Sequence, residues 1–197
     1  MRHGESLANR NGVIVSSPDV GLNQYPLTGR GVSSVAEKAV SSRFDSQIKI
    51  VHSDFLRTTQ TAQIFADVVD CHQIQPSEAL RERYFGEFDG LSDEHYSSVW
   101  QMDKQGVIKH DVESIASVLQ RMLSGVWELE QEHHNQTILI VSHGDCLQIL
   151  LSWLQGLRPS LHRQIPTMKP AAIRSLYNQQ SLQNILNQLN IEFDAAA

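Results

Sequence analysis

The chain has 197 residues, 41% of them hydrophobic and 19% charged, with a formal net charge of −6. That length fits one domain over residues 1–197, apolar enough for a real core and too weakly charged for an unfolded chain. The acidic balance excludes a general nucleic-acid surface, although a few buried arginines can still set a local positive field around a small anion.

No stretch is apolar for long enough to cross a bilayer, so no membrane partner is expected. Polar residues follow Met1 at once, unlike a basic-then-apolar signal segment. Cys71 and Cys146 have neither disulfide-framework nor zinc spacing, so both are expected to be reduced, in the cytoplasm. Cys146 lies in an apolar run and reads as a small buried hydrophobe.

In chain order, Thr28 is placed to cap a helix carrying Val32, Val35, Ala36, Ala39 and Val40 at helical spacing. "IKIVHS" (48–53) reads as a short buried strand, and the next helix gathers Ala62, Phe65, Ala66 and Val69 on one face. "HQIQP" (72–76) is a short extended run, while residues 83–111 show no clean period and suit a substrate-facing loop with a short helix. Val112, Ile115, Ala116, Leu119, Met122, Leu123 and Val126 lie in register for a long amphipathic helix. "TILIVS" (137–142) is the clearest strand, and "HGDCLQILLSWLQG" after it reads as a helix closing near Gly156. "PAAIRSL" (170–176) reads as a further strand, and Leu182, Ile185, Leu186 and Leu189 recur at helical spacing in the tail. This alternation predicts an α/β fold with a mostly parallel sheet covered on both faces.

Ligands of open α/β sheets sit beyond the carboxyl ends of the strands. His143-Gly144 follows "TILIVS", Arg57 lies just beyond 48–53, and Glu82 follows "HQIQP" and a turn. His3-Gly4 would complete the set if a strand preceded it. The chemistry suggested is phosphoryl transfer without a metal. Arginine forks match phosphate oxygens, a neutral imidazole can attack phosphorus, and a carboxyl can protonate the leaving oxygen. The second histidine would hold charge on the transferring group. Each residue has a plainer reading. His3 can be a solvated terminal residue, Arg57 a helix-surface charge, and Glu82 one member of a solvated run with Glu78, Arg81, Arg83 and Glu87. His133-His134 lacks ligand spacing, and Trp100, Trp127 and Trp153 read as core or lid residues.

"RHGESLAN" (2–9), "LTGRG" (27–31), "SDFLRTTQTA" (53–62), "LRERYFGEFDG" (80–90) and "VSHGD" (141–145) occur in an order that resembles the histidine phosphatase superfamily, the phosphoglycerate mutase-like group. The resemblance spans roughly the first three-quarters of the chain. It implies a three-layer α/β/α fold and a phosphatase acting on a small phosphorylated substrate with no metal or organic cofactor. It implies His3 as the phosphorylated nucleophile and Arg2, Arg57 and His143 as the rest of the phosphate pocket. Asn9 becomes a further phosphate ligand, Glu82 the acid that later serves as base, and Gly4 and Gly144 substrate-binding positions.

Two features depart from the family pattern. Asp54 stands where a proline is common, and only Met1 precedes Arg2 where a short hydrophobic strand is usual. The first strand is therefore expected to be truncated, with the chain starting at an internal methionine of a longer product. A phosphoglycerate mutase and a non-catalytic phosphate-binding protein remain as alternatives. Which phosphomonoester is the substrate, and the oligomeric state, stay open at this point.

Overall fold

The computed structural model describes residues 1–176, so the expected tail helix around Leu182–Leu189 lies outside the described residues. In chain order the elements are α1 (Leu7–Asn11), α2 (Pro18–Gly21), α3 (Gly29–Ser41), β1 (Lys49–His52), α4 (Leu56–Val69) and β2 (Ile74–Pro76). They continue as α5 (Tyr96–Gln105), α6 (Ile115–Glu132), β3 (Ile138–Val141) and α7 (Gly144–Leu154). Short 3₁₀ turns at Glu78–Leu80, Gly86–Phe88, Asp93–His95 and Pro159–Gln164 join them.

The strands run parallel in the order β2-β1-β3, with Ile50 opposite Ile74 and His52 opposite Pro76 and Val141. Beyond β3 the first residues run alongside in the same direction. Arg2 bridges Ser142 in parallel, His3 N donates to Ser142 O, and Ser142 N donates to Met1 O. That one bridge stands where the first strand was expected.

Period-2 alternation between two covered faces explains the apolar Ile50-Val51 centre of β1 and the wholly apolar β3. Ile50, Leu139 and Val141 pack with Val35, Ala39, Ala62 and Phe65 from α3 and α4. Val51 and Ile140 face the other way, onto Met122 and Leu123 of α6 and Leu147 and Leu150 of α7. The result is a sheet between two helical layers. A third cluster of Ile14, Phe85, Val99 and Val112 seats α5 beside the sheet.

Thr28 caps α3 by accepting from Gly31 N at 2.9 Å, a contact worth about 1 kcal/mol. Within that helix Val35 and Ala39 are buried, whereas Val32 and Val40 face solvent. The long helix starts later than its apolar pattern implied. Ser114 caps α6 by accepting from Ser117 N, so Val112 lies outside it and joins the third cluster, while Ala116 is exposed. "PAAIRSL" is no strand. Its backbone still borders the start of the chain, where Arg2 N donates to Ala172 O and Ala171 N to His3 O. A reversed turn with Ala171 at φ 61° breaks any longer ladder. Asp54 in turn forms an ion pair with Arg81, N to O 2.6 Å, tying the loop after β1 to the segment that carries Glu82.

Candidate active site

Four chain segments leave the carboxyl edge of the sheet side by side, and each delivers one expected residue. Met1–His3 ends beside Ser142, β1 leads through Ser53 into α4 with Arg57, β2 leads to the turn before Glu82, and β3 leads to His143. Arg2, His3, Arg57 and Glu82 line one cavity of about 220 Å³, together with Asn9 and Gly144. Among the described residues a larger cavity of about 460 Å³, lined by Met1, Leu129, Ile140 and Leu176, brings together none of them.

His3 is buried, and its Nδ1 sits 2.7 Å from the carbonyl oxygen of Gly4. A carbonyl only accepts, so Nδ1 carries the proton. Arg57 Nε lies 3.3 Å from His3 Nε2, and a guanidinium only donates, so Nε2 offers its lone pair. Both contacts select the same neutral tautomer. Burial, then the nearby Arg57 and Arg2 charges, hold this imidazole well below its ordinary pKa.

Arg57 is held from three sides. Its Nη2 donates to Val15 O at 3.0 Å and to His143 Nδ1 at 2.9 Å, while Nε reaches His3. Its Nη1 is buried without a partner, and so is Arg2 Nε. Buried charged donors left unpaired are costly, and an oxyanion in this cavity would satisfy both. Arg2 is anchored by Nη1 to Met168 O at 2.7 Å. It lies against Gly144, where an added Cβ would come within 3.3 Å of its guanidinium. Gly144 thus lets Arg2 rest on the start of α7.

Glu82 is buried, in contrast to a solvated charge run. Its Oε1 accepts from Arg83 N at 3.0 Å, and its Oε2 lies 3.9 Å from Arg57 Nη2. Burial lifts its pKa to about 7, and Arg57 offsets only part of that rise.

Three expected site residues are placed differently than anticipated. His143 is wholly buried and backs the cavity, because Arg57 occupies its Nδ1 and Ser53 Oγ lies 2.9 Å from its Nε2. Asn9 reaches the cavity, but its Oδ1 is committed to the Ser6 amide and hydroxyl in a capping box on α1, leaving only its NH₂ for a ligand. Gly4 does not line the cavity. Its amide donates to Thr61 Oγ1, and a Cβ would lie 2.8 Å from Val35 Cγ2, so this glycine serves the close packing of α3.

The opposite wall comes from the segment 83–111 expected to face the substrate, where Tyr96 and Trp100 of α5 line the cavity. The polar network behind it was not anticipated. Asp145 accepts from Trp100 Nε1 at 2.9 Å, contacts His162 Nε2 at 3.0 Å and pairs with Arg83 at 3.2 Å. Burial alone would raise its pKa, but His162 and Arg83 hold it at about 2. Arg83 also binds Asp103 with both terminal nitrogens at 2.8 Å. This network pins α5, and with it Tyr96 and Trp100, over the cavity. Arg163 lies 3.7 Å above the Trp100 ring and lines the same cavity. Asp145, directly after the His-Gly pair, and Trp100, within 83–111, had a positional signal in the sequence, whereas His162 and Arg163 had none.

The profile of the histidine phosphatase superfamily (branch 1) matches residues 1–190. Adenosylcobalamin/alpha-ribazole phosphatase of Escherichia coli (strain K12) is 28% identical over 165 residues, covering 80% of this chain and 78% of that protein. Phosphoglycerate mutase-like protein 4 of Arabidopsis thaliana is 27% identical over 174 residues, covering 83% and 71%. Among solved structures, Bacillus stearothermophilus YhfR aligns with a TM-score of 0.73 at 22% identity, over 87% of this chain and 85% of that one. The sequence match and the shared fold agree, and the chain belongs to the histidine phosphatase superfamily.

Proposed function

We propose that the chain is a phosphomonoester hydrolase that works through a phosphohistidine on His3 and uses no metal. The observation that carries this reading is the pair of buried, unpartnered donors, Arg57 Nη1 and Arg2 Nε, beside a neutral imidazole whose unprotonated Nε2 is held by a long 3.3 Å contact from Arg57 Nε. A phosphoryl group bound there would meet both donors and sit against His3. His3 Nε2 attacks phosphorus as the phosphorus–oxygen ester bond breaks, and Glu82 protonates the departing alkoxide. Glu82, now a carboxylate, takes a proton from water. The resulting hydroxide attacks phosphorus, the nitrogen–phosphorus bond breaks, and inorganic phosphate leaves with His3 restored.

In this scheme Arg2 and Arg57 carry the charge of the transferring group, and His143 acts by orienting Arg57. Forked, permanently charged donors suit a phosphoryl group better than point charges. The two buried free cysteines, Cys71 and Cys146, support a reducing compartment, and we place the chain in the cytoplasm. Among the described residues no helix is long and apolar enough to cross a membrane.

Mutase-type transfer is the second reading, because relatives of similar identity carry phosphatase and mutase-like names. Phosphate release from a panel of phosphomonoesters, with and without EDTA, separates these cases. Release that persists in EDTA is the expected result. Loss in EDTA that magnesium or zinc restores would overturn the metal-free scheme. Transfer to an acceptor hydroxyl with little free phosphate would favour the mutase.

A further inference from the structure

The arginines of the described residues near this site divide into two groups. Arg81 pairs with Asp54 and Glu78, Arg83 with Asp103 and Asp145, and Arg121 with Glu113. These three arginines are neutralised by their partners and do not line the cavity, although Asp145 does. Arg2, Arg57 and Arg163 line the cavity, and none of them makes a hydrogen-bonded pair with a carboxylate. Arg2 and Arg57 supply the two unpartnered donors that a single phosphoryl group would use. Arg163 is a third cation, surplus to that group.

Its position is built rather than incidental. The guanidinium lies on the Trp100 ring at 3.7 Å, and Trp100 is itself fixed by its bond to Asp145 and by stacking on Tyr96 at 5.4 Å and 6°. The edge contacts of Arg163 are neutral: Nη1 donates to Gln148 Oε1 and Nη2 to Thr167 Oγ1 at 3.2 Å. Gln148 is fully buried and held by Ile165 O. An aromatic face and neutral acceptors orient the fork, and Asp145 offsets part of its charge through space without a hydrogen bond. Glu82 and Asp145 face the same cavity, but one is nearest Arg57 and the other is paired with Arg83. Asp93 lines it as an exposed residue and makes no ion pair with Arg163.

We infer that Arg163, seated on Trp100, is a specificity residue that binds a second anionic group, carboxylate or phosphate, on the phosphomonoester held by Arg2 and Arg57. This rests on the phosphatase reading of the same site. A cavity of about 220 Å³ falls below the ~300 Å³ lower end for drug-sized ligands. The part of the substrate that this open cavity holds is therefore a small skeleton carrying both anions.

The test uses a matched series: propyl phosphate, 3-(phosphonooxy)propanoate and propane-1,3-diyl bisphosphate. Binding is measured by calorimetry to the full chain carrying His3→Ala, so that turnover does not intrude. At least tenfold tighter binding of one or both doubly anionic probes over propyl phosphate is expected, and which of them gains identifies the second group as carboxylate or phosphate. Adding Arg163→Met should erase the preference and leave propyl phosphate affinity unchanged, whereas Arg163→Lys should keep part of it. Equal binding of all three probes would overturn the assignment, as would Arg163→Met weakening all three alike, the mark of a structural role. Phosphate release by the unsubstituted chain is scored separately. A binding preference without release would count against the hydrolase reading and for the Arg163 assignment.

Discussion

Glu82 Oε2 lies 3.9 Å from Arg57 Nη2, near enough for charge attraction and too far for a hydrogen bond. The carboxyl is buried without the full compensation of an ion pair, so burial prevails and its pKa rises to about 7. A group half-protonated near neutrality can donate a proton in one step and accept one in the next. Arg57 thus steadies Glu82 without disarming it.

Glu82→Gln keeps the size of the side chain and removes its proton. Alkoxides leave poorly without protonation, whereas p-nitrophenolate leaves readily. Single-turnover phosphorylation from an alkyl phosphate should slow by about 10²–10⁴-fold, and from p-nitrophenyl phosphate only mildly. Equal losses on both substrates would assign Glu82 to phosphate binding or structure instead.

The same residue sets a pH dependence of stability. With its pKa raised from 4.5 to about 7, the folded chain holds a proton between those values that the unfolded chain has released. Stability contributed by this group therefore falls as pH rises through that window, by on the order of 3 kcal/mol, and then levels off. Glu82→Gln should melt above the unsubstituted chain at pH 8, with the gap closing toward pH 4. His3 and His143 act in the other direction. Both are held well below 6.5 by burial and Arg57, so the unfolded chain takes up protons that the folded one refuses, and stability drops as pH falls below that value. Melting temperatures across pH 4–9 check both slopes, and a pH-independent gap for Glu82→Gln would contradict its raised pKa.

Arg57→Lys keeps the charge but loses the fork that touches His3, Val15 and His143 together. Removing such a preorganised donor typically costs about 10²–10³-fold in kcat. A loss of that size in kcat on p-nitrophenyl phosphate is expected, with the melting temperature measured alongside. Full activity in Arg57→Lys would show that charge alone suffices.

Much of this architecture was legible because it is local. Ile50-Val51 and the continuously apolar 138–141 mark the strands, and Thr28 and Gly156 mark helix ends in the residue types themselves. The start of α6 was misread because Val112 shares the apolar period of the helix yet packs into another cluster, with Ser114 as the true cap. "PAAIRSL" has strand-like composition but only two backbone bonds to the start of the chain. His3, Arg57 and Glu82 could be named from motifs after strand ends. Trp100, Asp145 and Arg163 could not be brought together in the same way. They meet through the buried Arg83 and His162 contacts and one cation–aromatic stack, across more than sixty positions of sequence, and no local pattern encodes that meeting.

The phosphohistidine on His3 is the central claim, and trapping it is the most direct measurement. The full chain is mixed with ³²P-labelled phosphomonoester, quenched rapidly without acid, digested, and mapped. The account predicts an acid-labile, base-stable label on the peptide containing His3, absent in His3→Ala and reduced but not relocated in His143→Ala. A label on serine, an acid-stable adduct, or undiminished trapping in His3→Ala would contradict it.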